Sequence, residues 1–169
     1  MLEAPIRLAA AADVAALRAL VERAYRGDTA RQGWTHEADL LDDERTSDSQ
    51  LAATIADPAS RILLAEAPGA LVGTVTVSDC GEGLAYMGML CVDPAVQTAG
   101  LGRALIAAAE ATARAAFGAK VMEMTVIDKR TELIAYYERR GYRRTGETRP
   151  FPVPGVHGFA MVVLTRALD

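Results

Sequence analysis

The passage from Leu84 to Phe117 constrains the fold of this chain more than any other. Leu84 to Val92 is a long apolar run, read as a strand. Asp93-Pro94 ends it, because proline carries no backbone N–H and has a fixed φ. Gly100 and Gly102 then flank Leu101, and helical spacing runs from Leu101 to about Phe117, with Gly118 as its stop. A strand that feeds a glycine-bearing turn and a long helix presents unpaired N–H groups and the positive end of the helix dipole. Such a turn can cradle a phosphate or pyrophosphate, and glycine lets the backbone approach without a Cβ in the way. The plain alternative is a helix start with two convenient glycines. Two other phosphate loops are excluded. A dinucleotide fingerprint needs a third glycine where Leu105 stands, and a nucleoside-triphosphate loop needs a Gly-Lys-Ser/Thr that the chain lacks.

Around this junction the chain reads as one domain over residues 1–169, a length that can bury a core without disulfides or metal. Ile6 to Ala9 is the first strand, and Asp13 stands as N-cap of a helix reaching Tyr25. A polar stretch follows, with a short helix expected near Glu37 to Leu41, and then a helix from Ser49 to Ala56. Arg61 to Glu66 and Leu71 to Val77 form a hairpin across Pro68-Gly69. After the junction come a strand at Val121 to Ile127, a helix at Arg130 to Arg140 closed by Gly141, and strands at Tyr142 to Thr148 and Gly158 to Thr165. This order predicts an α+β fold with a mixed, mostly antiparallel central sheet flanked by helices, without the regular alternation of a doubly wound sheet. The long helix is expected to bury Leu101, Leu105, Ala108, Ala109, Thr112 and Ala116. Its outer face then carries Arg103, Glu110 and Arg114, with Glu110 and Arg114 as an i,i+4 pair.

Composition removes several function classes. The net charge is −4 and the arginines are spread along the chain, which argues against nucleic acid. No apolar run approaches the roughly 20 residues of a membrane helix. Met1 to Ala12 lacks the basic start and apolar core of a signal peptide, so a cytoplasmic location is expected. Cys80 and Cys91 have no metal-ligand spacing, and His36 and His157 stand far apart, so no metal is expected.

Two motifs make the reading specific. Gln97-Thr98-Ala99-Gly100-Leu101-Gly102 resembles the Gln/Arg-x-x-Gly-x-Gly/Ala signature of the GCN5-related N-acetyltransferase (GNAT) superfamily. Tyr136-Tyr137-Glu138-Arg139-Arg140-Gly141-Tyr142 resembles that superfamily's second motif, and the element order is similar throughout. The resemblance implies the acyl-CoA N-acyltransferase fold, acetyl-CoA as cosubstrate, and transfer of the acetyl group to a primary amine in a ternary complex. It implies that the backbone of Leu90, Cys91 and Val92 pairs with the pantetheine like an added strand. Gln97, Thr98, Ala99, Gly100, Leu101, Gly102 and Arg103 would hold the pyrophosphate, and Tyr137 would be the general acid. Tyr136 points about 100° away and serves as its control. Arg130 stands where the family often has an asparagine. Tyr86 to Val92 holds no acid or histidine to act as base, which leaves a water, Glu37 or His36. Cys91 is read as a small buried strand residue in preference to a covalent acetyl carrier.

In such folds the segment after the first helix roofs the acceptor. Here it offers Trp34 as a flat apolar wall, Thr35 and His36 as hydrogen-bonding groups, and Glu37 as a partner for an ammonium. The acids from Glu37 to Glu44 favour a cationic amine. A small-molecule amine is therefore the expected acceptor. Protein N-termini or lysines, and a non-catalytic CoA-binding module, are the alternatives. A second copy of the chain is the macromolecular partner left open.

Overall fold

The structure is a computed structural model that describes residues 4–25, 46–151 and 158–169. The expected helix at Glu37 to Leu41 lies outside the described residues.

Seven strands form one sheet among the described residues: β1 (Ile6–Leu8), β2 (Ser60–Ala67), β3 (Ala70–Gly81), β4 (Leu84–Val92), β5 (Val121–Ile127), β6 (Arg143–Pro150) and β7 (Ala160–Ala167). Their order is β1-β2-β3-β4-β5-β7-β6, antiparallel everywhere except between β4 and β5. The mixed, mostly antiparallel sheet expected from the sequence is thus observed. Four α-helices flank it among the described residues: α1 (Val14–Tyr25), α2 (Asp48–Ala56), α3 (Leu101–Phe117) and α4 (Thr131–Arg139). β4 must be parallel to β5 because α3 carries the chain back between them, as a crossover requires.

Each face of the sheet has its own core. The larger one joins Val75, Val77, Met87, Met122 and Met124 to Leu101, Leu105, Ile106 and Ala109 of α3 and to Ile134 of α4. The smaller one joins Ile62, Leu64 and Cys91 to Leu17, Leu20 and Val21 of α1 and to Leu51 of α2. The sheet ends differ in character. β1 has three residues, while β6 is exposed along nearly its whole length and carries Arg143, Arg144, Arg149 and Pro150.

Two local readings need correction. Asp13 is not the N-cap. A 3-10 turn over Ala11–Asp13 precedes α1, and the Asp13 carboxylate accepts from the Ala10 N–H at 2.7 Å. Arg7 also holds that carboxylate, at 2.8 Å, and this keeps its pKa down at about 2. A charged partner on β1 therefore drew the aspartate away from a simple capping position. The second correction concerns α3, which buries Ile106, Glu110 and Ala113 together with Leu101, Leu105 and Ala109. Glu110 is 5% exposed and does not face Arg114. It accepts two hydrogen bonds from Arg166 of β7, at 2.8 and 2.7 Å, and one from the Tyr142 hydroxyl at 3.2 Å. A buried carboxylate is tolerated when charged and hydrogen-bonding partners replace its water. The amphipathic pattern alone put a charged residue outside.

Glu110→Ala would strand the buried Tyr142 hydroxyl, whereas the half-exposed Arg166 can turn to water. Denaturant melts should show a loss of about 1–3 kcal/mol. Arg114→Ala should stay within about 0.5 kcal/mol of wild type. Equal small effects at the two positions would return Glu110 to the surface.

Candidate active site

The site is built where β4 leaves β5. Only three residue pairs join the two strands: Leu84↔Val121, Ala85↔Met122 and Tyr86↔Glu123. The cause lies in β4 itself. Between the pairs Thr76↔Gly88 and Thr74↔Cys91, β4 advances three residues while β3 advances two, so β4 holds one extra residue. Met89 stands there with φ of +50°. A bulge bends its strand and sharpens the twist, and a non-glycine residue at positive φ marks an imposed conformation. The bulge also shifts the alternation of side chains. Met87 faces the α3 side and Met89 the α1 side, but Leu90 and Val92 return to the α3 side while Cys91 turns to α1.

At the end of β4 the chain makes a 3-10 turn over Pro94–Ala99. Asp93 caps it by accepting from the Ala95 N–H at 3.0 Å, and its second oxygen takes Arg23 of α1 at 3.1 Å. α3 begins directly afterwards. The two glycines serve different needs. Gly100 sits at φ +79° with open space around the place of a Cβ, so its role is conformational. At Gly102 a Cβ would come 3.3 Å from the Tyr136 hydroxyl and 3.9 Å from Val92, so its role is to leave room. The first turn of α3, the end of β4 and the Tyr136 hydroxyl thus converge on a cradle that one Cβ would crowd. This fits a pyrophosphate approached by backbone amides. The side chains of Gln97, Thr98 and Ala99 lie outside the described set, and Arg103 is exposed.

α4 delivers the tyrosines. Tyr137 is 4% exposed and lies between Tyr136 and Tyr142, edge to face with both, at ring-centroid distances of 5.4 and 6.1 Å. Tyr142 is a poor proton donor: burial first, then the Glu110 charge and hydrogen bond, push its phenol far above the usual range. Tyr136 is not the inert neighbour that the sequence suggested. Its hydroxyl meets Gly102, and the Arg140 guanidinium stacks on its ring at 4.5 Å from the centroid. Helical spacing gives directions around α4 but not what stands opposite, so this contact was invisible in the sequence.

Cys91 is buried in the smaller core beside α1, as a small strand residue would be. Trp34, Thr35, His36 and Glu37 lie outside the described residues. Beside the opening between β4 and β5 stand polar groups the sequence reading missed. The Tyr86 hydroxyl and Thr125 Oγ1 share a hydrogen bond of 2.6 Å, and Glu123 accepts from Arg149 at 2.8 Å. Thr76 Oγ1 and Asp128 Oδ1 are buried without a hydrogen-bond partner among the described residues. The signal available was polar residues at alternate positions of strands whose other face is apolar. Among the described residues no group of three or more histidine, cysteine or acidic side chains is placed to hold a metal, and no helix is long and apolar enough to cross a membrane.

A seven-stranded mixed sheet, opened at its single parallel pair and followed by a glycine-bearing helix start, defines the acyl-CoA N-acyltransferase class. The family model described as the Acetyltransferase (GNAT) family matches residues 15–142, and the chain belongs to that family of acetyl-CoA-dependent N-acyltransferases. Solved structures share the fold. Salmonella typhimurium yncA, solved with its cofactor acetyl-CoA, is 21% identical with a TM-score of 0.75, over 99% of this chain and 95% of that one. The ribosomal-protein alanine N-acetyltransferase of Escherichia coli is 16% identical with a TM-score of 0.74, over 99% and 95%. A spermidine N-acetyltransferase chimera of Vibrio cholerae SpeG and hSSAT is 17% identical with a TM-score of 0.75, over 99% and 96%. No curated protein matches the sequence.

Gly102→Val should weaken CoA binding at least tenfold while the chain still folds, because its side chain would enter the cradle. Calorimetry on the folded variant reads this, and unchanged affinity would reduce the turn to a helix start.

Proposed function

We propose that this chain transfers the acetyl group of acetyl-CoA to a primary amine of a small molecule, by direct attack in a ternary complex in the cytoplasm. The observation that carries the reading is the cradle at Gly102, lying at the end of a strand that has parted from its neighbour. Acetyl-CoA supplies an electrophilic thioester carbonyl and a thiol leaving group. Leu90, Cys91 and Val92 offer main-chain groups to the pantetheine amides, and the amides from Gln97 to Arg103 hold the pyrophosphate. Tyr137 holds the proton for the departing sulfur. A phenol ordinarily titrates near 10 and a thiol near 8.5, so at neutral pH the phenol keeps its proton until a thiolate calls for it. Tyr142, bonded to Glu110 and with its phenol pushed far up, is the weaker donor of the cluster.

The acceptor side is assigned to Trp34, Thr35 and Glu37. Glu37 belongs to a run with Asp39, Asp42, Asp43 and Glu44, which attracts a cation. The same fold serves a spermidine N-acetyltransferase, a protein named for a small amine.

Thiol release from acetyl-CoA should be measured against spermidine, free amino acids, and alanine- and lysine-bearing peptides. Turnover with a small amine is expected. Turnover with peptides alone would move the acceptor to protein, and none at all would leave a CoA-binding module. Tyr137→Phe should lower kcat at least roughly tenfold with CoA affinity nearly intact. Tyr136→Phe should act on acetyl-CoA affinity instead.

Trp34→Ala and Glu37→Gln should alter acceptor KM or kcat and spare CoA affinity. Loss of thermal stability with unchanged acceptor kinetics in the surviving protein would make Trp34 a core plug.

A further inference from the structure

The opening between β4 and β5 has a closed end, and its walls differ in kind. In the plane of the sheet it ends at the pair Tyr86↔Glu123. On the α3 side it is backed by Met87, Met124 and Val126, all at most 4% exposed in the larger core. Residues alternate across a strand, so Tyr86, Gly88 and Thr125 face the other way, toward the side covered by α1. There the Tyr86 hydroxyl and Thr125 Oγ1 meet at 2.6 Å.

This contact is not a product of the ladder. Thr125 lies two residues beyond Glu123, the last residue of β5 that β4 pairs with, so the strands have already parted where the side chains join. Gly88 makes the reach feasible. A Cβ there would come 3.2 Å from Tyr86 Cε1 and 3.7 Å from Cδ1, so the ring lies along the strand over the glycine. The tyrosine is laid forward across the vertex as a rung.

We infer that the Tyr86–Thr125 rung sets the length of acyl group the enzyme accepts, restricting the donor to acetyl-CoA. This rests on the proposed placement of the donor. With the pyrophosphate at the start of α3, the pantetheine runs back along β4 from Val92 toward Gly88, a stretch that β3 matches with the three steps from Gly73 to Thr76, about 10 Å at 3.3 Å per residue. Its acyl end then arrives at the vertex. The core side and the ladder cannot yield without loss of the fold. The rung is two polar side chains and is the wall that sequence change can move.

Calorimetry with acetyl-, propionyl- and butyryl-CoA alone, without any amine, reads the rung directly. Steady-state kinetics with the best amine reads it a second time. One methylene in a fitted pocket is worth about 10–200-fold in discrimination. Wild type should lose at least about tenfold from acetyl- to propionyl-CoA, and more with butyryl-CoA. Tyr86→Leu, too short to reach Thr125, should narrow the butyryl-to-acetyl ratio at least tenfold. Thr125→Ala is the milder variant should Tyr86→Leu fail to fold, and it should narrow the ratio in the same direction. Equal affinity of wild type for acetyl- and butyryl-CoA overturns the inference, as do folded variants that keep the wild-type ratio. A chain that binds acyl-CoA with this selectivity but acetylates no amine would overturn the proposed function and leave the rung standing.

Discussion

Everything at this site depends on two parallel strands ceasing to pair. A gap in the middle of a sheet is unfavourable, since backbone N–H and C=O groups need partners. The bulge at Met89 imposes it by spending one extra residue of β4 at positive φ. The residues around the bulge are anchored on both faces. Met87, Leu90 and Val92 pack toward α3, while Met89 and Cys91 pack toward α1. The strand is therefore held in its bent course by two cores at once.

The opening divides the sheet into β1 to β4 on one side and β5, β7 and β6 on the other. α3 spans the division. Leu105 and Leu101 reach so close to Gly73 of β3 that a Cβ there would meet Leu105 at 2.8 Å. Further along α3, Glu110 binds Arg166 of β7 and Tyr142. The apolar core of α3 reaches both halves, and the buried carboxylate adds a polar tie to the second. The arrangement explains why a charged residue occupies the inner face of an otherwise apolar helix: it must reach an arginine on a strand that is not its neighbour in sequence.

The strand–turn–helix passage from Leu84 to Phe117 was legible because proline, glycine and apolar spacing act locally and leave their mark in consecutive residues. The hairpin across Pro68-Gly69 was legible for the same reason. Glu110 was misread because a helical pattern sorts residues by polarity, and a buried ion pair violates that sorting. Asp13 was misread because its strongest partner, Arg7, lies on another element. Tyr136 against Gly102 and Tyr86 against Thr125 are contacts between elements far apart in the chain. The parting of β4 from β5, and the packing of α4 beside α3, bring them together. Trp34, Thr35 and Glu37 rest on sequence and resemblance alone.

The two ends of the sheet carry a consequence of their own. An unpaired strand edge is a template on which any extended chain can lie. Here β1 is only three residues long, and β6 is edged with arginines and closed by Pro150. Both rims thus discourage the accretion that leads to aggregates. Hospitality toward an extended backbone is moved from the periphery of the sheet to its interior, where the walls of the opening can choose the guest.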